Sequence, residues 1–294
     1  MTNITLKPHA IFGLTSGQLL IRLALLVIFA LCAYPFFYIL SLAVMPYENF
    51  ISSPVHFGPN GFTLEYFQQI FGSANLQRAF TISVFKTIMG TGLSVVTTVM
   101  AGWALSRPGL KYGRLLSALF IVPLYVGGGL IPYFLVIRAT GMLNTFWALI
   151  IPSMVWPFNF LIARAYFANF PQEIVEAAKV DGASNLMIFK DIVWPTSTPI
   201  IATLAVLYGV GHWNDYFWPS FLVQPDLYPI TVVLQNLISG NVMASRLGVS
   251  GFQSVSPQSF IAAVAAVLII PVLVAYPLFQ RYVVKGILVG SLKG

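Results

Sequence analysis

The sequence predicts an all-α membrane protein with six transmembrane helices, and three observations carry that prediction. Hydrophobic residues make up 58% of the 294 and charged residues only 8%, against about 25% in a soluble domain. Mean hydropathy is +0.84. The few charges fall between long apolar runs. Fifteen basic and eight acidic side chains cannot cover a soluble globule of this length, so most of the surface faces lipid. The same arithmetic excludes a cytosolic enzyme, a disordered chain and a nucleic-acid module. The +7 net charge gathers into no basic patch. The single cysteine, Cys32, excludes a disulfide framework and a cysteine metal site, and His9, His56 and His212 lie far apart in sequence.

A spanning helix needs roughly 20 mostly apolar residues. The uncharged run Leu23 to Tyr47 places span one near 19–44, and Thr87 to Ser106 places span two near 80–105. Leu115 to Ile137 gives span three, 115–137. Ala139 to Ala163 gives span four near 144–163, and Ile192 to Asn214 gives span five near 196–222. Span six occupies 258–281 of the longer run Leu247 to Gln280. Together they form a single transmembrane domain over 1–294. The run in span one exceeds the apolar region of a cleaved signal, about 7–15 residues, so it is read as a retained helix. Gly127-Gly128-Gly129 beside Pro132 suggests a break in span three, either a hinge or a close packing site.

Orientation follows from the loops. With both termini cytoplasmic, the inner set is Lys7, Arg22, Arg107, Lys111, Arg114, Arg164, Lys179, Lys190, Arg281, Lys285 and Lys293. The outer set is Arg78, Arg138 and Arg246. Lys86 alone falls inside span two. Charges within a span usually face a cavity or a partner. Two roles stay open for it: attraction of an anionic solute, or snorkelling to the interface.

The inner loop 164–195 is not a simple connector. Pro171 suits a first helical turn, and Glu173 and Glu176 favour its positive end. That helix runs to about Val180, Asp181-Gly182 supplies a turn, and a second helix follows from about Ser184 to Val193. Leu186, Phe189, Ile192 and Val193 share one face of it, and Pro195 ends it. Four of the eight acidic residues (Glu173, Glu176, Asp181, Asp191) lie in this loop. An interfacial amphipathic loop usually has a basic polar face; this acidic one favours a protein partner, with Ala177 and Ala178 allowing close backbone approach.

Glu176-Ala177-Ala178, then Gly182, Ile192 and Pro195, fall at the spacing of the EAA loop. In this the chain resembles the permease subunits of binding-protein-dependent ABC importers. Trp194 stands where that family usually has Leu. Trp213-Asn214-Asp215-Tyr216 and Pro219 look like the signature of carbohydrate permeases of the maltose type. The stretch Ala101 to Arg114 is similar to that family's basic loop after span two. Gly128-Gly129-Leu130-Ile131-Pro132-Tyr133, Gly211-His212-Trp213-Asn214 and Leu227-Tyr228-Pro229 resemble a narrower subgroup. Its members import oligosaccharides and polysaccharide fragments, including uronate-containing ones such as alginate.

The resemblance implies a type I importer architecture in a bacterial inner membrane, with a non-catalytic chain. The sequence has no Gly-Lys pair and hence no ordinary P-loop, so ATP and Mg would bind partner subunits, and this chain would hold no cofactor. The implied partners are a homologous second permease, a dimer of ATP-binding subunits, a solute-binding protein and the bilayer. Glu176, Ala177, Ala178, Asp181, Gly182, Ile192 and Pro195 are the expected coupling residues. Ser239, Gly240 and Asn241 lie in the external loop 223–257, which the resemblance assigns to binding-protein docking.

Residue type and depth make Lys86, Tyr125, Tyr133, Trp156, Asn159, Trp213, Asn214 and Tyr216 candidates for a sugar path. Interfacial aromatic belts and interhelical asparagines are the competing reading. A secondary transporter or a membrane-embedded enzyme would need more ionisable groups within the spans. A permease for a neutral oligosaccharide, or for amino acids or peptides, is the alternative to an acidic-sugar permease.

Overall fold

The computed structural model describes residues 16–52, 58–240 and 257–291. Helices and short turns account for them, with no strand among the described residues. The chain divides into two compact units, 1–66 with 255–266, and 67–254 with 267–294.

The first unit contains α1 (Ser16–Ala43) and α2 (Tyr47–Ser52). α1 is apolar all round, with Leu20, Phe29 and Leu31 exposed, the composition of a helix that faces lipid. After α2 the chain returns to the end of α1. Thr63 N–H donates to the Val44 carbonyl at 2.7 Å, and the Tyr66 hydroxyl to the Met45 carbonyl at 3.2 Å.

α3 (Glu65–Gly72) leads into the second unit, and Ser73 caps α4 (Ala74–Ser106), accepting from Leu76 N–H. At 33 residues, α4 is the spine of this unit. The chain continues through α5 (Gly113–Tyr125), α6 (Leu130–Ala139) and two 3-10 turns (Phe146–Leu149, Ile151–Ser153) to α7 (Pro157–Ala168). α8 (Gln172–Val180) follows. Then α9 (Asn185–Met187), a π turn (Ile188–Val193) and α10 (Trp194–Thr196) run on from one another. α11 (Thr198–Asn214), α12 (Phe217–Leu222) and α13 (Ile230–Ile238) complete the unit up to the undescribed segment, and α14 is Pro257–Ser291.

α4 packs most extensively on α7 and α11. Val95, Val99 and Trp103 of α4, Ala163 and Phe167 of α7, and Leu204 and Tyr208 of α11 form one buried core. Val175 of α8, with Ile188 and Val193 of the π turn, extends it to the inner loop.

Several elements differ from the predicted spans. By length and composition, α1 and α4 each suffice to cross a membrane, and α5, α6 and the 258–274 part of α14 are shorter apolar helices. Span three is not one helix: α5 stops at Tyr125 and α6 starts at Leu130, where three consecutive glycines offer no side chain to sustain a helix. Span four opens as 3-10 turns bent by 47° from α7. Pro152 and Pro157 remove the amides that one continuous helix needs. The helix of span five is interrupted: α11 stops at Asn214, and Asp215 is extended before the short α12. The inner loop begins later than residue 164, because α7 continues to Ala168. The external loop 223–257 contains α13, which buries Ile230, Val232, Val233 and Leu237.

Candidate functional site

Two regions of the second unit carry polar chemistry: the inner hairpin and a polar ladder between α4 and α11.

The hairpin is built by its caps. α8 starts after Pro171, with Glu173 in its first turn and Lys179 in its last, each complementing the helix dipole. At its end, Gly182 N–H donates to the Lys179 carbonyl at 3.0 Å and Ala183 N–H to the Ala178 carbonyl at 2.9 Å. This paired 5→2 and 6→1 pattern is a Schellman cap. It requires a left-handed residue, and Gly182 has φ +81. The space around that Cα is open, so backbone conformation, not crowding, selects glycine here. Ser184 then caps the next helical stretch, its hydroxyl accepting from Met187 N–H.

The second helical stretch departs from the expected face. Leu186 is 71% exposed, and Ile188 instead enters the core beside Val193. The π turn at Ile188–Val193 shifts the register by one residue. Helical geometry also passes through Pro195 to Thr196, and the chain bends by 78° into α11. Ile192 packs half-buried on the core, whereas Pro195 is exposed. Glu176, Ala177, Asp181 and Gly182 are exposed, and Ala178 is buried. Val180 is 88% exposed at the tip. Nothing described in the chain covers this apolar tip.

A cavity of about 600 Å³ lies between the end of α4 and the hairpin, with Glu176, Lys179 and Leu186 on its wall. Arg107 sits there with its guanidinium 4.2 Å from the Trp103 ring centre, and its Nη1 donates to Gln172 Oε1 at 3.2 Å. Partial burial lowers its pKa from the ordinary guanidinium value.

The ladder is a side-chain construction. Lys86, Gly90, Ser94 and Thr98 recur every fourth residue along one buried face of α4. Tyr208, His212 and Asp215 recur on the facing side of α11 and at its C-terminal end. Lys86 Nζ donates to Asp215 Oδ2 at 2.9 Å and to the Asp215 carbonyl at 3.2 Å. Ser94 Oγ and His212 Nε2 are 3.3 Å apart. Thr98 Oγ1 and the Tyr208 hydroxyl are 2.6 Å apart, and Trp156 N–H donates to that hydroxyl at 3.0 Å. Gly90 makes room for the imidazole: a Cβ there would lie 2.9 Å from His212 ring atoms. One step outward, Ser83 Oγ accepts from Ile230 N–H at 2.9 Å.

This geometry corrects the reading of Lys86. It neither snorkels nor stands open to an anion: it is fully buried and neutralised by Asp215. An isolated buried charge would be prohibitively costly, and the pair offsets part of that cost. Trp213 is likewise a packing residue. It is buried, its Nε1 donates to the Leu268 carbonyl at 3.1 Å, and it lies edge-on to Phe80. Trp156, half-buried, rests against Tyr208 and Gly211, and Asn159 is buried. Asn214 and Tyr216 are exposed together after the ladder, and Asn214 Nδ2 donates to the Val210 carbonyl. Tyr125 is 81% exposed at the end of α5, and the Tyr133 ring packs at a tilt of 41° against Trp218, with 4.2 Å between ring centres. Within this chain the eight candidates therefore stand in different settings, Lys86, Asn159 and Trp213 buried in packing and Tyr125, Asn214 and Tyr216 exposed. Ser239 ends α13, Gly240 follows with φ +67, and Asn241 lies outside the described residues.

His212, Asp215, Ser94, Thr98 and Tyr208 were not among the predicted site residues. Their signal was present as polar residues at helical spacing within two apolar runs.

Residues 90–289 match the family of binding-protein-dependent transport system inner membrane components. The chain belongs to this family and is a non-catalytic membrane subunit. Among curated relatives, it is 35% identical to a polygalacturonan/rhamnogalacturonan transport system permease protein of Bacillus subtilis, over 92% of this chain and 96% of the relative. It is 28% identical to a trehalose/maltose transport system permease protein of Thermococcus litoralis, over 94% and 97% of the two chains. Among solved structures, one chain of a bacterial ABC transporter involved in the import of the acidic polysaccharide alginate superposes with a TM-score of 0.83. That match has 28% identity and covers 93% of this chain and 99% of the other.

Proposed function

We propose that this chain is one of two homologous transmembrane subunits of an ATP-driven ABC importer for oligo- or polysaccharides, with a uronate-containing sugar as its cargo. The observation that carries the importer reading is the Schellman-capped hairpin, rooted in the α4–α7–α11 core and presenting an uncovered tip with Val180 and Leu186. That tip suits the cleft of an ATP-binding subunit, where ATP and Mg would be held.

In this reading the chain crosses the bacterial inner membrane six times with both termini cytoplasmic. The spans are α1, α4, α5 with α6, the 3-10 turns with α7, α11 with α12, and α14. The Lys/Arg distribution supports that orientation. A second permease completes the pore, and a solute-binding protein docks on the outer face near the end of α13.

The acidic cargo rests on the polygalacturonan/rhamnogalacturonan relative and the alginate importer. Lys86 no longer supports it, because Asp215 satisfies its charge. That neutralisation, with the trehalose/maltose relative, favours a neutral oligosaccharide as the second reading. The deciding measurement is ATPase stimulation of the complete reconstituted assembly. Oligouronates are expected to stimulate it; stimulation by malto-oligosaccharides and not by uronates establishes the second reading instead.

A further inference from the structure

A second, smaller feature lies on the outside of the α5–α7 pair, away from the hairpin and the ladder. Phe120 and Phe160 stack at 4.6 Å and tie the two helices together. Beside them runs an open groove of about 300 Å³, lined by Ser117, Ile121 and Val122 between Arg114 and Tyr125, with Arg164 on the α7 side. Its walls are apolar except at the Arg114 end.

Three details give the groove a chemistry. First, both arginines stand without a carboxylate, since the salt bridge among the described residues is Lys86–Asp215. Arg164 makes its hydrogen bond to the Leu105 carbonyl through Nε, which leaves the terminal guanidinium nitrogens for another group. Second, Ser117 is 4% exposed and lines the groove, yet its Oγ has no hydrogen-bond partner among the described residues. Buried hydroxyls are ordinarily satisfied. Third, the distance fits. From Arg114 to Tyr125 the helix rises about 16 Å at 1.5 Å per residue, close to the roughly 15 Å hydrocarbon depth of one leaflet.

We propose that this groove is a binding site for an anionic phospholipid of the inner leaflet. The phosphate lies between Arg114 and Arg164, a glycerol or ester oxygen meets the Ser117 hydroxyl, and an acyl chain follows Ile121 and Val122 toward Tyr125. The proposal uses the membrane orientation given above and is independent of the cargo. Paired guanidiniums recognise phosphate through several parallel N–H donors, and basic pockets between helices on the cytoplasmic side favour anionic lipid.

The test is made on the complete importer assembly in neutral detergent. It is titrated with phosphatidylglycerol, phosphatidylcholine or inorganic phosphate, and bound lipid is counted by native mass spectrometry. The expected result is one phosphatidylglycerol assigned to this subunit in preference to phosphatidylcholine. R114Q, at an exposed position, weakens it about fivefold, as expected for one basic contact, and R114K, which keeps the charge without the guanidinium fork, weakens it less than R114Q. S117A weakens it about threefold, as for one neutral hydrogen bond. Equal retention of the two lipids, an unchanged affinity in R114Q, or displacement by inorganic phosphate at matching concentration overturns the proposal. So does efficient cross-linking of V122C to the second permease, which would make the groove a protein interface.

Discussion

The hairpin and the ladder are built on opposite plans. In the hairpin, backbone groups do the holding: a Schellman cap at Gly182, a serine cap at Ser184, and side chains free at the tip. In the ladder, the helices supply only spacing, and side chains such as Lys86, Ser94 and Thr98 do the holding. A backbone-capped knob keeps its shape while its surface varies to suit a partner. A side-chain ladder fixes the relation of two helices and leaves little room for change.

The largest expected effect tests the ladder. D215A strands Lys86, which is fully buried, and should destabilise the subunit by about 3–5 kcal/mol, read as thermal melting of the purified assembly. The double variant K86M/D215A should recover much of that loss. If the single and double variants melt alike, the pair is not what holds α4 to α11. G211A comes next. Its Cβ would fall 1.9 Å from the Trp156 ring, an overpacking of about 1–3 kcal/mol, and melting should drop even though the ladder's polar groups remain.

Crossing to the hairpin, G182V forces a β-branched residue to φ +81, at about 1–2 kcal/mol. Its signature is functional: ATPase activity of reconstituted vesicles should lose its coupling to transport, whereas G182N keeps it. Tight coupling in G182V would show that the cap is dispensable. T98V removes one partner of Tyr208, which keeps Trp156 N–H, for about 1 kcal/mol. The smallest effect on stability belongs to L186S. That exposed side chain should change melting by no more than about 0.5 kcal/mol, while transport-coupled ATP hydrolysis falls. A large melting change there would mean the tip is packed, not presented.

The same contrast explains what the sequence could disclose. The determinants of the hairpin, Pro171, Glu173, Gly182 and Ser184, lie within one short stretch, so local rules read them. Even there the π turn escaped, because no single residue from Ile188 to Val193 marks it, and Ile188 displaced Leu186 from the core. The ladder joins residues 110 to 129 positions apart. Lys86 was conspicuous as a charge in an apolar run, and Asp215 stood inside a recognised motif, but nothing local pairs them. The helix breaks followed the same division. The triple glycine announced the one between α5 and α6, whereas the ends of α7 and α11 depended on prolines and packing whose weight only the folded chain reveals.

The length of α4 gives these two regions a mechanical relation. It rises continuously for 33 residues, about 50 Å. Near one end Trp103 is embedded with Val175 and Ile188 of the knob, and toward the other Lys86 is clamped to Asp215. A stiff rod fixed at both places behaves as a lever arm. A displacement of the knob by a few ångströms is then expected to reach the Lys86–Asp215 clamp and to move α11 with it.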